Sequence, residues 1–122
     1  MPSRLEVVFK MALDGLKIEM EQQYKFHPKR RWRLDFAAVE EKVAVEIDGG
    51  EFITGAHNRG ARMANDYEKR NTAIEMGWVV FQLTGAMVRK DPVGWARRIG
   101  KAIEDRRSSD ETHQSNAGLH SG

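Results

Sequence analysis

Leu5, Val8, Phe9, Ala12, Leu13 and Leu16 recur at the spacing of one helix face, which predicts a helix over residues 3–14. Ser3-x-x-Glu6 has the form of a capping box at its start, and Asp14-Gly15 is its stop signal. From there the period changes. Leu16, Ile18 and Met20 alternate with Lys17, Glu19 and Glu21, as in a strand, and Tyr24 to Phe26 is the better-formed part of that ambiguous stretch. Residues 31–39 and 42–48 read as two strands, and Gly49-Gly50 ends the second. A Gly-containing loop is expected over 51–60. A helix then runs from about Arg62 to Met76, with Met63, Tyr67, Ile74 and Met76 on its core face and Gly77 as C-cap. Trp78 to Leu83 is nearly continuous in apolar residues, as in a strand buried on both faces. A last helix is expected over 91–106, with Pro92 in its first turn. This order predicts an α/β domain over residues 1–107, with a mixed central sheet flanked by helices. Residues 108–122 are polar, lack periodicity and read as a disordered tail.

Composition narrows the class. A chain of 122 residues with 40% hydrophobic and 31% charged residues fits one globular domain. It has no cysteine, so neither a disulfide framework nor a thiolate zinc site is available. No apolar run has membrane-spanning length and no signal-peptide pattern opens the chain, so a cytoplasmic protein without membrane association is expected. The net charge of +2 says little about partners. Its distribution says more. Lys25, Lys29, Arg30, Arg31 and Arg33 crowd the stretch KFHPKRRWRL, which has no acid and interleaves Phe26 and Trp32. Such a surface suits phosphate contact; equally, these charges can keep an edge strand soluble.

Against that basic stretch stand three acids in the expected hairpin, Asp35, Glu46 and Asp48. Alternation puts Trp32, Leu34 and Phe36 on one face and Arg31, Arg33 and Asp35 on the other. Val43, Val45 and Ile47 likewise oppose Ala44, Glu46 and Asp48. A turn centred on Glu40-Glu41 sets Asp35 opposite Glu46 and Arg33 opposite Asp48, whether the loop has two or four residues. Carboxylates facing each other across a strand pair repel. A shared hard divalent cation such as Mg²⁺ relieves that repulsion, and such an ion can activate water against a phosphodiester. The other reading is a solvated polar face on which Arg33 and its neighbours neutralise the acids.

The ordered set resembles the PD-(D/E)xK nuclease superfamily. Asp35-Phe36 is followed by Glu46-Ile47-Asp48-Gly49, after a helix bearing Glu6. His57, Asp66, Arg70 and Gly77-Trp78-Val79-Val80 then look like its very-short-patch-repair branch of small phage or bacterial endonuclease-like domains. The resemblance spans about residues 3–105. It implies an αβββαβ core, dependence on Mg²⁺ with Mn²⁺ able to substitute, and hydrolysis of DNA. It makes Asp35 and Glu46 the main metal ligands, with Glu6 reaching the site from the first helix. Asp48 stands where the superfamily usually has a catalytic Lys, and Lys69, Arg70, Lys42 or a second metal is then available to replace it.

The remaining candidates each have a plainer reading. His57 is a general base or ligand, or an idle loop residue. Asp66 and Arg70, four apart on a helix, form a natural ion pair, although Arg70 can instead face a phosphate. Gln82 interrupts an apolar strand, facing the site or lying on an edge. Arg97, Arg98, Arg106 and Arg107 are DNA contacts or a solvated helix face. The sequence therefore leads to a metal-dependent DNA endonuclease, with junctions, flaps or mismatches as structure-specific substrates. The alternative is a non-catalytic DNA-binding or recombination-accessory protein on the same fold. Cutting both strands at once takes two active sites, which makes a homodimer an expectation of the nuclease reading.

Overall fold

The structure is a computed structural model that describes residues 3–49 and 56–120, without the side chains of 56–59 and 110–120. The chain runs α1 (Arg4–Gly15), β1 (Glu21–Lys25), β2 (Arg33–Ala38), β3 (Val43–Asp48), α2 (Ala56–Glu75), β4 (Val79–Thr84), α3 (Gly85–Lys90) and α4 (Pro92–His120). One sheet has the strand order β1-β2-β3-β4. Its first two pairings are antiparallel and the β3–β4 pairing is parallel. A mixed four-stranded sheet flanked by helices is thus the architecture that the hydrophobic pattern predicts.

Ser3 Oγ accepts from the Glu6 backbone N–H at 3.2 Å and starts α1. The stripe of α1 delivers Phe9, Ala12 and Leu13 to a core shared with Phe36, Val43, Val45 and Leu83 of the sheet and with Val88, Ala96, Ile99 and Ile103 of α3 and α4. Phe9 and Phe36, both fully buried, meet edge-on with centroids 5.5 Å apart. A second cluster gathers Phe26, Leu34, Ala37, Ala44, Trp78 and, from α2, Ala73. Helices α1, α3 and α4 therefore cover one face and α2 the other. Gly77 closes α2 at φ +96°, with Trp78 N–H bonded to Ala73 O and Gly77 N–H to Ile74 O. That is a Schellman cap, which a side chain at this position would strain.

The β2–β3 register pairs Phe36 with Val45, Ala37 with Ala44 and Ala38 with Val43. A four-residue turn over 39–42 keeps the alignment that puts Asp35 across from Glu46. Leu34 and Phe36 nevertheless join different clusters, although strict alternation puts them on one face. The alternation breaks at Asp35, beside Gln23, whose φ is +52°. On its β1 side Arg33 pairs with Lys25, while the β2–β3 ladder ends at Phe36–Val45, before it reaches Arg33 and Asp48.

Several elements depart from the hydrophobic pattern. Helix α2 begins at Ala56, before the expected start near Arg62, because its first turns carry no apolar face for periodicity to detect. Met63, Tyr67 and Ile74 are exposed rather than core; α2 packs through Ala73 and Met76. Strand β4 lies at the sheet edge and is only partly buried, not enclosed on both faces. Helix α3 has six residues, too short for a periodic signal, and starts on the Thr84 N-cap. Helix α4 runs to His120, beyond the expected end at 106; apolar periodicity marks only packed faces, and among its described side chains the last buried one is Ile103. Residues 51–55 of the expected loop lie outside the described residues, as does Gly50.

Candidate active site

The strand register lays four polar side chains in a row across the sheet: Gln23 of β1, Asp35 of β2, Glu46 of β3 and Gln82 of β4. Glu46 and Gln82 are direct partners in the β3–β4 ladder. Asp35 continues the Phe36–Val45 register to Glu46, and Gln23 falls between the Gln22–Phe36 and Tyr24–Leu34 pairs. The β2–β3 ladder itself stops at Phe36–Val45. Beyond it the carboxylates replace the backbone ladder. Asp35 N–H donates to Glu46 Oε2 at 3.0 Å, and Ile47 N–H donates to Asp35 Oδ2 at 2.7 Å. Each acid thus receives a backbone N–H from the opposite strand, a charge-assisted bond that fixes its position.

Two helices add charge from opposite faces. From α1, Glu6 reaches Gln23, whose Nε2 donates to Glu6 Oε1 at 3.2 Å and to Asp35 Oδ1 at 3.3 Å. Glu6 Oε2 is buried with no hydrogen-bond partner. Leu5 lies next to Glu6, and its Cδ1 would be 2.9 Å from a Cβ on Gly49, so the glycine after the acidic strand lets this end of α1 approach. From α2, Lys69 forms an ion pair with Glu46. Their side chains are 18% and 13% exposed, so solvent screens the pair only partly. Arg70 Nη1 donates to Gln82 Oε1 at 3.1 Å, and its guanidinium lies over the Tyr67 ring. Lys42 points elsewhere, donating to Met76 O at 3.0 Å.

The electrostatics follow from this crowding. Burial and then the Asp35 charge push Glu46 up from 4.5 to about 7, against the opposing pull of Lys69. Burial and then Asp35 also raise Glu6. The site without a cation is therefore one that resists full ionisation near neutral pH.

The candidates separate accordingly. Asp35 lies between the other two acids: its backbone N–H reaches Glu46, and it shares the Gln23 amide with Glu6. Asp48 is exposed at the end of β3, its backbone paired with Thr84. His57 sits in the first turn of α2, and its side chain lies outside the described residues. The basic stretch forms the tip between β1 and β2. His27 Nδ1 accepts from the backbone N–H of Lys29 and Arg30 at 3.1 and 2.9 Å and shapes that tip. Arg30 stacks on Trp32 at 3.9 Å and lies 3.7 Å from Glu68 of α2, so it is already engaged. Lys25 and Arg33 are exposed and face each other in the ladder, a like-charge pair that favours an anion between them. Arg106 and Arg107 bond Gly77 O and Glu41, at the end of the sheet away from the acids. Gln23 carried no sequence signal, because a glutamine in a polar strand looks like any exposed residue.

No family model matches the chain. Two Mycobacterium tuberculosis proteins, the uncharacterized proteins MT2308 and Rv2248, are each 27% identical over 95 residues, which is 77% of this chain. The matched region is 34% of each, so the chain spans about a third of the length of these curated relatives. Among solved structures, the homing endonuclease I-Bth0305I catalytic domain superposes with a TM-score of 0.63 at 18% identity. The match covers 86% of this chain and 98% of that domain. The chain has a nuclease-like fold. Among the described residues, no helix is long and apolar enough to cross a membrane, and no group of three or more His, Cys, Asp or Glu is placed so that it could hold a metal ion.

Proposed function

We propose that this chain is a metal-dependent DNA endonuclease of the PD-(D/E)xK type, hydrolysing phosphodiester bonds. The observation that supports it most is the Asp35–Glu46 carboxylate pair, each fixed by a backbone N–H of the opposite strand, with the buried Glu6 Oε2, which has no hydrogen-bond partner, on the Asp35 side. Carboxylate oxygens that raise one another's pKa suit a hard divalent cation. Asp35 and Glu46 would hold Mg²⁺ or Mn²⁺, with Glu6 beside them and Asp48 as a further candidate ligand. When bound, the ion polarises the phosphodiester and lowers the pKa of an attacking water.

The chain's own groups prepare this chemistry. The two interstrand N–H bonds fix the Asp35 and Glu46 carboxylates before substrate arrives. Lys69 stands beside Glu46 and supplies the cation that Asp48 cannot, to orient water and offset charge at the phosphate. Arg70, tied to Gln82, offers a guanidinium at the same edge. Lys25, Lys29, Arg31 and Arg33 give the approaching backbone a basic tip, to which Arg30 contributes less because Glu68 lies beside it. His57 remains a candidate base. The non-catalytic alternative draws on Asp48 in the Lys position; Lys69 beside Glu46 favours catalysis.

Supercoiled plasmid with Mg²⁺ or Mn²⁺, against an EDTA control, tests the proposal. Metal-dependent nicking or linearisation that Asp35→Asn abolishes is the expected result. Binding without cleavage under every metal condition would favour the accessory reading.

A further inference from the structure

Gln23 has no part in the chemistry above, yet it sits in the row of site residues in an unfavourable backbone conformation. Its φ of +52° is one that a long side chain rarely adopts, and the residues on either side are regularly paired with β2. Strain of this kind persists where the surrounding structure holds it, and it clusters at functional sites. What Gln23 does there is visible. One amide nitrogen donates to two carboxylates, Glu6 Oε1 at 3.2 Å and Asp35 Oδ1 at 3.3 Å. Glu6 comes from the helix layer and Asp35 from the sheet, so this amide ties the two layers together at the acids.

We propose that Gln23 is a positioning residue whose side-chain amide holds Glu6 against Asp35 and thereby sets how tightly the carboxylate cluster takes a divalent cation. The inference rests on the metal-dependent reading of the site. Left alone, two like-charged carboxylates move apart. A ligand set gathered beforehand loses less freedom when the ion arrives. Partners of metal ligands typically govern affinity by about 10–100-fold.

Two variants separate positioning from folding. Gln23→Gly accepts the positive φ without strain and removes the amide. Gln23→Met keeps the length of the side chain but cannot donate. Mn²⁺ affinity is measured by calorimetry, and melting temperature with EDTA and with Mn²⁺; neither needs turnover. Both variants should fold and bind Mn²⁺ about 10-fold more weakly than wild type, with a smaller metal-induced rise in melting temperature. In a Glu6→Gln background, Gln23→Met should cost much less, because its effect passes through Glu6. If wild type binds Mn²⁺ and both variants bind it as tightly, Gln23 is merely a strand residue and the proposal is overturned. An equal loss with and without Glu6 overturns the route through Glu6. If wild type itself binds no Mn²⁺, the metal reading of the site fails, and this inference fails with it.

Discussion

Replacing Glu46 by Gln should change how stability depends on pH. In the folded protein Glu46 is raised from 4.5 to about 7, first by burial and then by Asp35. A raised carboxyl pKa means the native state favours the protonated form. Its stabilising contribution is fully present below the unfolded value of 4.5 and is lost as pH rises through about 7. At about 1.4 kcal/mol per pK unit, that shift amounts to about 3 kcal/mol between the two ends of the window. Gln cannot ionise, keeps the volume, and retains an oxygen that can accept the Asp35 N–H now bonded to Glu46 Oε2. Denaturant melts of both proteins in EDTA, from pH 4 to pH 8.5, give the difference directly. The variant should be no more stable than wild type at the acid end and about 2–3 kcal/mol more stable at the alkaline end. For a chain of this size, that is on the order of 10 °C in melting temperature. Millimolar Mn²⁺ should reverse the trend for wild type alone, because cation binding requires the ionised carboxylate. A stability difference that does not change with pH, or that grows toward acid, would refute the assignment of Glu46 as a buried, repelled carboxyl.

Other perturbations read the same site. Asp35→Asn, which removes charge but little volume, should abolish Mg²⁺-dependent cleavage while leaving stability in EDTA equal or slightly higher; near-wild-type turnover would remove Asp35 from the ligand set. Lys69→Met removes the group that pulls Glu46 down, so residual activity should fall and the acid limb of its pH–rate profile should move to higher pH; an unmoved limb would show that Lys69 does not act through Glu46. Neutralising Lys29, Arg30 and Arg31 together should weaken duplex DNA binding across sequences. The log–log salt slope should flatten by roughly 0.9 for each phosphate that is no longer neutralised. Because Arg30 is already paired with Glu68, the flattening should fall short of the value for three phosphates. An unchanged slope would return these charges to the role of edge protection.

What could be read in the sequence was whatever local pattern determines. The Glu40-Glu41 turn and strict alternation over residues 43–48 sufficed to align Asp35 with Glu46, and Gly77 announced the end of α2. What depends on tertiary arrangement was hidden. Lys42, Lys69 and Arg70 are equivalent cations in the sequence; only the docking of α2 turns Lys69 toward Glu46, Arg70 toward Gln82 and Lys42 toward a helix C-terminus. The same docking explains the misjudged core face of α2. That helix presents Lys69 and Arg70 to a polar row of the sheet, which leaves Met63, Tyr67 and Ile74 exposed. Gln23 needed its backbone conformation to be known before it could be singled out.

The polar row and the core explain each other. One residue inward from Glu46 and Asp35, Val45 and Phe36 are fully buried, and the ladder that joins their strands is intact. One residue outward, that ladder has stopped, and carboxylates occupy the hydrogen-bonding positions that backbone would otherwise fill. Acids are poor at this task when charged and close together, so a sheet selected for stability alone would continue its ladder with apolar pairs. Repulsion of Asp35 with Glu46 and with Glu6 is tolerable because the packed layers inward of them hold the strands in place whether or not the acids are neutralised. The chain therefore keeps an opening in its sheet at the point where three elements deliver oxygen atoms and a fourth delivers Lys69, and a cation would stabilise that opening while using it.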